Sequence, residues 1–199
     1  MKSALLFLNG LPPKYVSEKT YTIIGCTDGA YHYAKDLEIR LDFVIGDFDS
    51  IKPNEIENIE VIEKPDQNFT DFEKAIKYLL EIGVTHVDIW GASGKEDDHF
   101  LGNISILYQY YKKIEMIFHG DKNYFIMAKK QTKITLEKGK IVSLFPLNKV
   151  KKITTQGLEF SLKQENLKIG KRIGIRNKAI ENEVVVEIKS GKLLLFIEK

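Results

Sequence analysis

Short apolar runs and helix-length amphipathic segments alternate through the first 120 residues of the chain. Ala4–Leu8, Thr22–Cys26, Phe43–Ile45, Glu60–Ile62, Val87–Trp90 and Glu115–Phe118 are strand candidates. Several are unbroken apolar stretches, the pattern of strands buried on both faces in a parallel sheet covered by helices. Between them lie helix candidates near Ala30–Leu37, Asp71–Ile82 and Asp98–Tyr111. In the second, Phe72, Ala75, Ile76, Leu79 and Leu80 recur at i, i+3, i+4, i+7 and i+8 and make one apolar stripe. Thr70 followed by Glu73 reads as a capping box, and Gly83 is placed to end that helix. Strand, helix and strand in succession predict an α/β layer with right-handed crossovers.

The pattern changes after residue 121. Ile134–Leu136, Ile141–Leu144, Val150–Thr154, Leu158–Leu162, Val184–Ile188 and Leu193–Ile197 are short strand candidates separated by turn signals such as Gln156-Gly157 and Ser190-Gly191-Lys192. Their close spacing, with no helix-length segment between them, predicts an antiparallel sandwich or barrel. Two domains are therefore expected, 1–121 and 122–199, with no low-complexity linker between them.

Composition narrows the class. A chain of 199 residues and 22.9 kDa is long enough to bury a sizeable core. No apolar run approaches the ~20 residues of a membrane-spanning helix. The opening Met-Lys-Ser-Ala-Leu-Leu-Phe-Leu-Asn-Gly is too short for a secretory leader and reads as a first buried strand. The single cysteine, Cys26, excludes an internal disulfide and a cysteine-rich zinc site, and fits a reducing cytoplasm. The net charge of +2 conceals an asymmetry: residues 1–120 carry 12 Lys+Arg against 20 Asp+Glu, and residues 121–199 carry 18 against 8. The lysines of the basic part are scattered among apolar positions, so no nucleic-acid surface is expected. The acidic part carries the chemistry.

Four aspartate-bearing turns follow strands or open helices. They are Cys26-Thr27-Asp28-Gly29-Ala30; Gly46-Asp47-Phe48-Asp49-Ser50; Asp66-Gln67-Asn68-Phe69-Thr70-Asp71; and Gly91-Ala92-Ser93-Gly94-Lys95-Glu96-Asp97-Asp98-His99. In an open parallel sheet, ligands bind beyond the carboxyl ends of the strands, so all four turns should share one edge. Carboxylates gathered there repel one another unless cations are present, and their oxygens select hard ions such as Mg²⁺. The expectation is a Mg²⁺–nucleotide site. An extended segment would place Asp47 and Asp49 side by side while Phe48 turns into the core. Gly46 would let the backbone leave its strand sharply, and Thr70-Asp71 would offer free helix N–H groups to phosphate. The glycine-containing fourth turn is neither a Walker A loop nor a G-x-G-x-x-G fingerprint.

Each feature also has a plain structural explanation. Asp28-Gly29 and Asp47 suit ordinary turns, and helix capping accounts for Thr70 with Glu73. Asp97 and Asp98 suit a helix start without any ligand. His99 could be a structural histidine, and Trp90, Tyr31 and Tyr33 core or interface rings. Four such turns at four strand ends are what point to a site.

These residues resemble the thiamine pyrophosphokinase family. The matching set is Asp28-Gly29-Ala30, Gly46–Ser50, Asp66-Gln67 with Thr70-Asp71 and Lys74-Ala75, and Asp98-His99 with Asn103. Ser143-Leu-Phe-Pro146, Gly157-Leu158 and Gly174-Ile-Arg-Asn177 extend the likeness through nearly the whole chain. The resemblance implies an amino-terminal Rossmann-like α/β domain that binds ATP, then a β-sandwich that binds thiamine and forms a homodimer, with thiamine at the subunit interface. It implies transfer of a pyrophosphoryl group from ATP to thiamine, giving thiamine diphosphate and AMP. Carried over, Asp28, Asp47, Asp49 and Asp71 hold Mg²⁺; Gln67, Thr70, Lys74, Lys95 and His99 serve the phosphates; Asn177 serves thiamine. Asp71, then Asp49, are candidates for the base, with Asp98 beside the phosphates. Two other readings are a Mg²⁺-dependent nucleotide phosphohydrolase and a catalytically impaired thiamine- or nucleotide-binding protein. The sequence departs from the family pattern in having one glycine fewer after Asp28, Glu96 where an arginine is usual, and Arg176 in place of serine before Asn177.

Overall fold

The computed structural model describes residues 2–16, 19–49 and 51–199, so Ser50 of the second aspartate turn lies outside the described residues. These residues fall into two compact units, 1–121 and 122–199.

The first unit is built on β1 (Ser3–Phe7), β2 (Ile23–Thr27), β3 (Phe43–Gly46), β4 (Glu60–Glu63), β5 (His86–Trp90) and β6 (Glu115–His119). All pair in parallel, in the order β6-β5-β1-β2-β3-β4. The chain works outward from β1 to β4 and then crosses to β5 and β6 on the other side of β1. The connections after β1 and β5 therefore lead away from each other, which opens a crevice at the carboxyl ends of those strands.

One sheet face packs Leu5, Phe7, Cys26 and Val44 against Ala30, Tyr31 and Ala34 of the segment containing α1 (Tyr31–Asp36). Helix α2 (Asp71–Glu81) buries Phe72, Ala75, Ile76 and Leu79, as its apolar stripe predicts. The Phe72 ring meets Phe118 of β6 edge-on at 5.8 Å between centroids. Helix α3 spans Asp97–Tyr110.

The capping box at the start of α2 forms only by half. Thr70 Oγ1 accepts from the Glu73 N–H at 3.2 Å. The Glu73 carboxylate instead accepts from the Tyr110 hydroxyl at 2.8 Å and the Gln109 amide at 3.3 Å, both on α3. The glutamate is buried because it ties two helices together.

A second buried charge sits within the sheet. Asp88 of β5 accepts from His119 at 2.6 Å and Lys19 at 2.5 Å, with His86 at 3.2 Å. The His86 ring also faces Glu115 at 3.5 Å, and Trp90 stacks on His119 at 5.2 Å. Burial alone would raise the Asp88 carboxyl, but the hydrogen bonds from His119, His86 and Lys19 prevail and hold it far below the usual range.

The second unit contains β7 (Asn123–Met127), β8 (Gln131–Thr135), β9 (Ile141–Pro146), β10 (Lys149–Gln156), β11 (Glu165–Lys168), β12 (Gly174–Lys178), β13 (Glu183–Glu187) and β14 (Leu193–Glu198). They form two antiparallel groups, β12-β9-β14-β7 and β11-β10-β13-β8. Alternate residues such as Val142, Leu144, Val150, Ile153, Val184, Val186, Leu193 and Leu195 make a shared core, so the unit is a β-sandwich.

Its strand pattern corrects the sequence reading in two respects. Leu158–Leu162, expected as a strand, is a loop whose one β-bridge is from Leu158 to Ala179. Gly157, at φ +76° and with Glu183 O only 2.3 Å from where a Cβ would stand, ends β10 before the apolar run begins. The strands β7, β11 and β12 were not expected; β11 (Glu-Asn-Leu-Lys) and β12 (Gly-Ile-Arg-Asn-Lys) carry only one buried side chain each.

Candidate active site

Every aspartate turn of the first unit opens onto one cleft of about 520 Å³ at the carboxyl edge of its sheet. Asp28 follows β2 and opens a short 3-10 turn; Asp47 follows β3; Asp71 is the first residue of α2. Oxygens of these three side chains all lie within 4.8 Å of one another. Strand register explains the grouping, because β2 and β3 are parallel neighbours that end together, with Thr27 opposite Ile45.

Asp28 is 3% exposed. Its carboxylate accepts from the N–H of Gly29 at 2.7 Å and of Phe48 at 3.0 Å. Burial pushes the Asp28 carboxyl up and nearby Asp71 adds to this, while the two N–H groups pull it back. Burial also raises Asp71, against the Lys74 ammonium bonded to it at 2.8 Å. Asp47 is lowered, chiefly by the Gln67 amide donating to it at 2.6 Å. Two of the three acids are thus held where they gain from a cation. Three converging carboxylates, of which only Asp71 is bonded to an ammonium, suit a hard divalent ion that prefers oxygen.

Gly46 has a different purpose from the sharp exit expected of it. It is the last residue of β3, and a Cβ there would stand 2.4 Å from the Asp28 Cγ. The glycine leaves the space that the Asp28 carboxylate occupies. Gly46→Ala is expected to push Asp28 aside and weaken divalent-cation binding roughly tenfold, as loss of a supporting neighbour does at metal sites. Calorimetric titration with Mg²⁺ or Mn²⁺ checks this, and an unchanged affinity would refute it.

The second turn also departs from expectation. Phe48 has φ +60°, so the segment is not extended and the alternation that would set Asp49 beside Asp47 is broken. Phe48 does pack against the core, while Asp49 is exposed, lines the cleft and stands outside the group of three. The Asp49 N–H donates back to Asp47 at 3.3 Å.

Gln67, Thr70 and Lys74 line the same cleft, where the free N–H groups of α2 begin. Lys74 is 5% exposed, so its charge is fixed in place by Asp71. From the fourth turn come Lys95, Asp98 and His99. His99 is exposed, not a core histidine, and lies 3.4 Å from the Glu96 carboxylate. Asp98 accepts from the His99 N–H at 2.9 Å, and Asn103 holds the loop by donating to Ala92 O at 2.9 Å. Trp90, Tyr31 and Tyr33 are packing residues: the first two are buried, and the Tyr33 hydroxyl donates to Leu8 O at 2.7 Å.

Asn177 belongs to the second unit. Its amide is buried and bonded to the backbone of Phe160, accepting at 3.1 Å and donating at 2.8 Å. It anchors the 158–162 loop. Beside it, Arg176 has φ +56° and donates its N–H to Ser143 Oγ at 2.9 Å.

Sequence reasoning missed Asn9 as a cleft residue and named Phe69 only as part of the third turn. Asn9 stands two residues beyond β1 at the crevice, packs over Gly29 and accepts from Lys95 at 2.8 Å. The strand-end rule that found the aspartates would have found it, had polar residues other than acids been considered.

Comparison with known proteins covers both units. Residues 14–118 match the family model described as the catalytic domain of thiamin pyrophosphokinase, and residues 126–193 match the thiamin pyrophosphokinase vitamin B1 binding domain. Thiamine pyrophosphokinase of Bacillus subtilis is 28% identical over 163 residues, which is 75% of each chain. Thiamin pyrophosphokinase 1 of Caenorhabditis elegans is 24% identical, covering 98% of this chain and 88% of its own. A crystal structure of the Bacillus subtilis enzyme superposes with a TM-score of 0.84 at 24% identity, over 98% of this chain and 99% of that one.

Proposed function

Because the chain belongs to the thiamine pyrophosphokinase family, we infer that it transfers a pyrophosphoryl group from Mg²⁺-bound ATP to thiamine, releasing AMP. The observation that carries this is the convergence of Asp28, Asp47 and Asp71 beside the first turn of an eleven-residue helix. That is an ion site and a phosphate site side by side. The phosphohydrolase and impaired-binder readings find no support among the relatives.

In this scheme Asp28, Asp47 and Asp71 hold Mg²⁺, with Asp49 at the edge of the site. Bound there, the ion would neutralise the triphosphate and favour departure of AMP. The helix N–H groups beyond Thr70, with Gln67, Lys74 and Lys95, orient the phosphate oxygens, and Asp98 and His99 flank them. The thiamine hydroxyl oxygen attacks the β-phosphorus; its new P–O bond forms as the bond to the α-phosphate oxygen breaks. The hydroxyl proton passes to a carboxylate. Asp71 is the first candidate and Asp49 the second, both lining the cleft.

We assign residues 1–121 to nucleotide binding and catalysis, and 122–199 to thiamine binding and dimerisation. Support for the dimer comes from exposed apolar side chains around β12: Phe160 at 70%, Ile175 at 48% and Ile180 at 51%. Asn177 contributes to thiamine binding by holding the Phe160 loop. The buried free thiol of Cys26 suits a cytoplasmic setting. Among the described residues no helix is long and apolar enough to cross a membrane.

The deciding experiment measures AMP release with ATP, Mg²⁺ and thiamine beside a control without acceptor. AMP formed equally fast without thiamine would overturn the reading. Glu96 gives a second test, for it places a negative charge where the family usually has arginine. Glu96→Arg is expected to raise kcat/KM for Mg–ATP several-fold, on the order of one charge-assisted hydrogen bond. A fall would show that the Glu96–His99 pair serves the reaction.

A further inference from the structure

Phe69 is the one aromatic residue of the loop that leads into α2, and nothing in helix architecture requires it. A hydrophobic residue just before the N-cap ordinarily packs on an apolar residue at the fourth helical position. Here that position is Lys74, buried and bound to Asp71. The Phe69 ring instead carries the Lys77 ammonium over one face, 3.0 Å from its centroid. It remains 37% exposed and lines the cleft among polar groups. An apolar ring kept at a wet, acidic cleft wall, with one face capped by a cation, has its other face to offer.

We propose that Phe69 is the stacking platform for the heterocycle of the nucleotide, and so a specificity-determining residue for the phosphate donor. The proposal rests on the assignment of the neighbouring helix start to the triphosphate. A neutral purine suits this ring. The Lys77 ammonium already draws on its π-electrons, so a second cation such as the thiazolium of thiamine would be disfavoured on the opposite face. The base is also covalently joined to the phosphates that the N–H groups at the start of α2 receive, whereas the acceptor is not. Backing by Lys77, itself 3.3 Å from Glu73, holds the ring in place before the nucleotide arrives.

The test compares wild type with Phe69→Ala, Phe69→Leu and Phe69→Trp. Stacking of a base on an aromatic ring supports a roughly tenfold rise in KM for Mg–ATP in the alanine and leucine variants. The tryptophan variant restores the wild-type value, KM for thiamine is unchanged, and inhibition by inorganic triphosphate, which has no base, is unchanged. The leucine variant keeps apolar bulk, so it covers the case in which alanine disturbs the loop. A rise in KM for thiamine instead, an unaltered KM for ATP, or an equal weakening toward inorganic triphosphate would each overturn the proposal. If wild type releases no AMP with thiamine, the underlying reading fails. Calorimetric binding of ATP to wild type and Phe69→Leu then still decides the role of Phe69.

Discussion

Asp47→Asn is expected to lower kcat by roughly 10²- to 10³-fold, the range seen when a preorganised electrostatic group is removed from a reacting centre. The fold should scarcely notice. Asp47 sits at the cleft edge, and its two partners, the Gln67 amide and the Asp49 N–H, can both be kept by an asparagine if the Gln67 amide turns over. A change of this kind at a partly exposed position stays within about 0.5 kcal/mol, so Tm should move by no more than about 2 °C. Asp28 and Asp71 are poorer choices for the experiment. The first satisfies two backbone N–H groups, and the second neutralises the buried Lys74. Their loss would mix unfolding with inactivity. Steady-state rates at several Mg²⁺ concentrations, read beside a thermal melt, check the prediction; activity within threefold of wild type would remove Asp47 from the ion site.

The largest stability effect is expected at Asp88. Asp88→Asn takes away the carboxylate shared by His86, His119 and Lys19, and breaking a buried charge network by removing one partner costs on the order of 3 kcal/mol. The pH dependence gives a sharper signature. Asp88 is held below its ordinary value, so its contribution is complete above about pH 4 and is lost as pH falls through the lowered value. His86 is held above its ordinary value, first by its hydrogen bond to Asp88, so its contribution is complete below about pH 6.5 and is lost as pH rises through the raised value. The difference in stability between wild type and Asp88→Asn should therefore be greatest between about pH 4 and 6.5 and shrink on either side. Denaturant unfolding across that range measures it, and a difference independent of pH would mean that packing, not charge, is lost.

Much of this was legible in the chain because burial leaves a strong mark on sequence. Central strands such as β1 and β3 are buried almost throughout, and α2 shows its stripe, so these were found close to their ends. The shared cleft was legible through aspartates at strand ends, since sheet topology brings those ends together whatever the loops between them do. What stayed hidden depends on contacts between distant residues. Nothing local says that Glu73 will bond to Tyr110, thirty-seven positions away, when a capping box is at hand. The edge strands β11 and β12 bury too little to be periodic. Leu158–Leu162 had the composition of a strand, but Gly157 had already turned the chain. Gly46 was correctly singled out for the wrong reason, because its use lies in the side chain of another strand.

The left-handed backbone at Phe48 has a consequence for how the cleft keeps its shape. A phenylalanine there is uphill by about 1 kcal/mol or more, and a free loop would relax away from it. Sinking the ring into the apolar layer makes relaxation cost more than staying. Hydrophobic attraction, which has no preferred direction of its own, is thereby converted into an angular constraint on the peptide plane whose N–H meets Asp28. The accuracy with which the Asp28 carboxylate is aimed into the cleft is in this way secured by a side chain on the neighbouring turn.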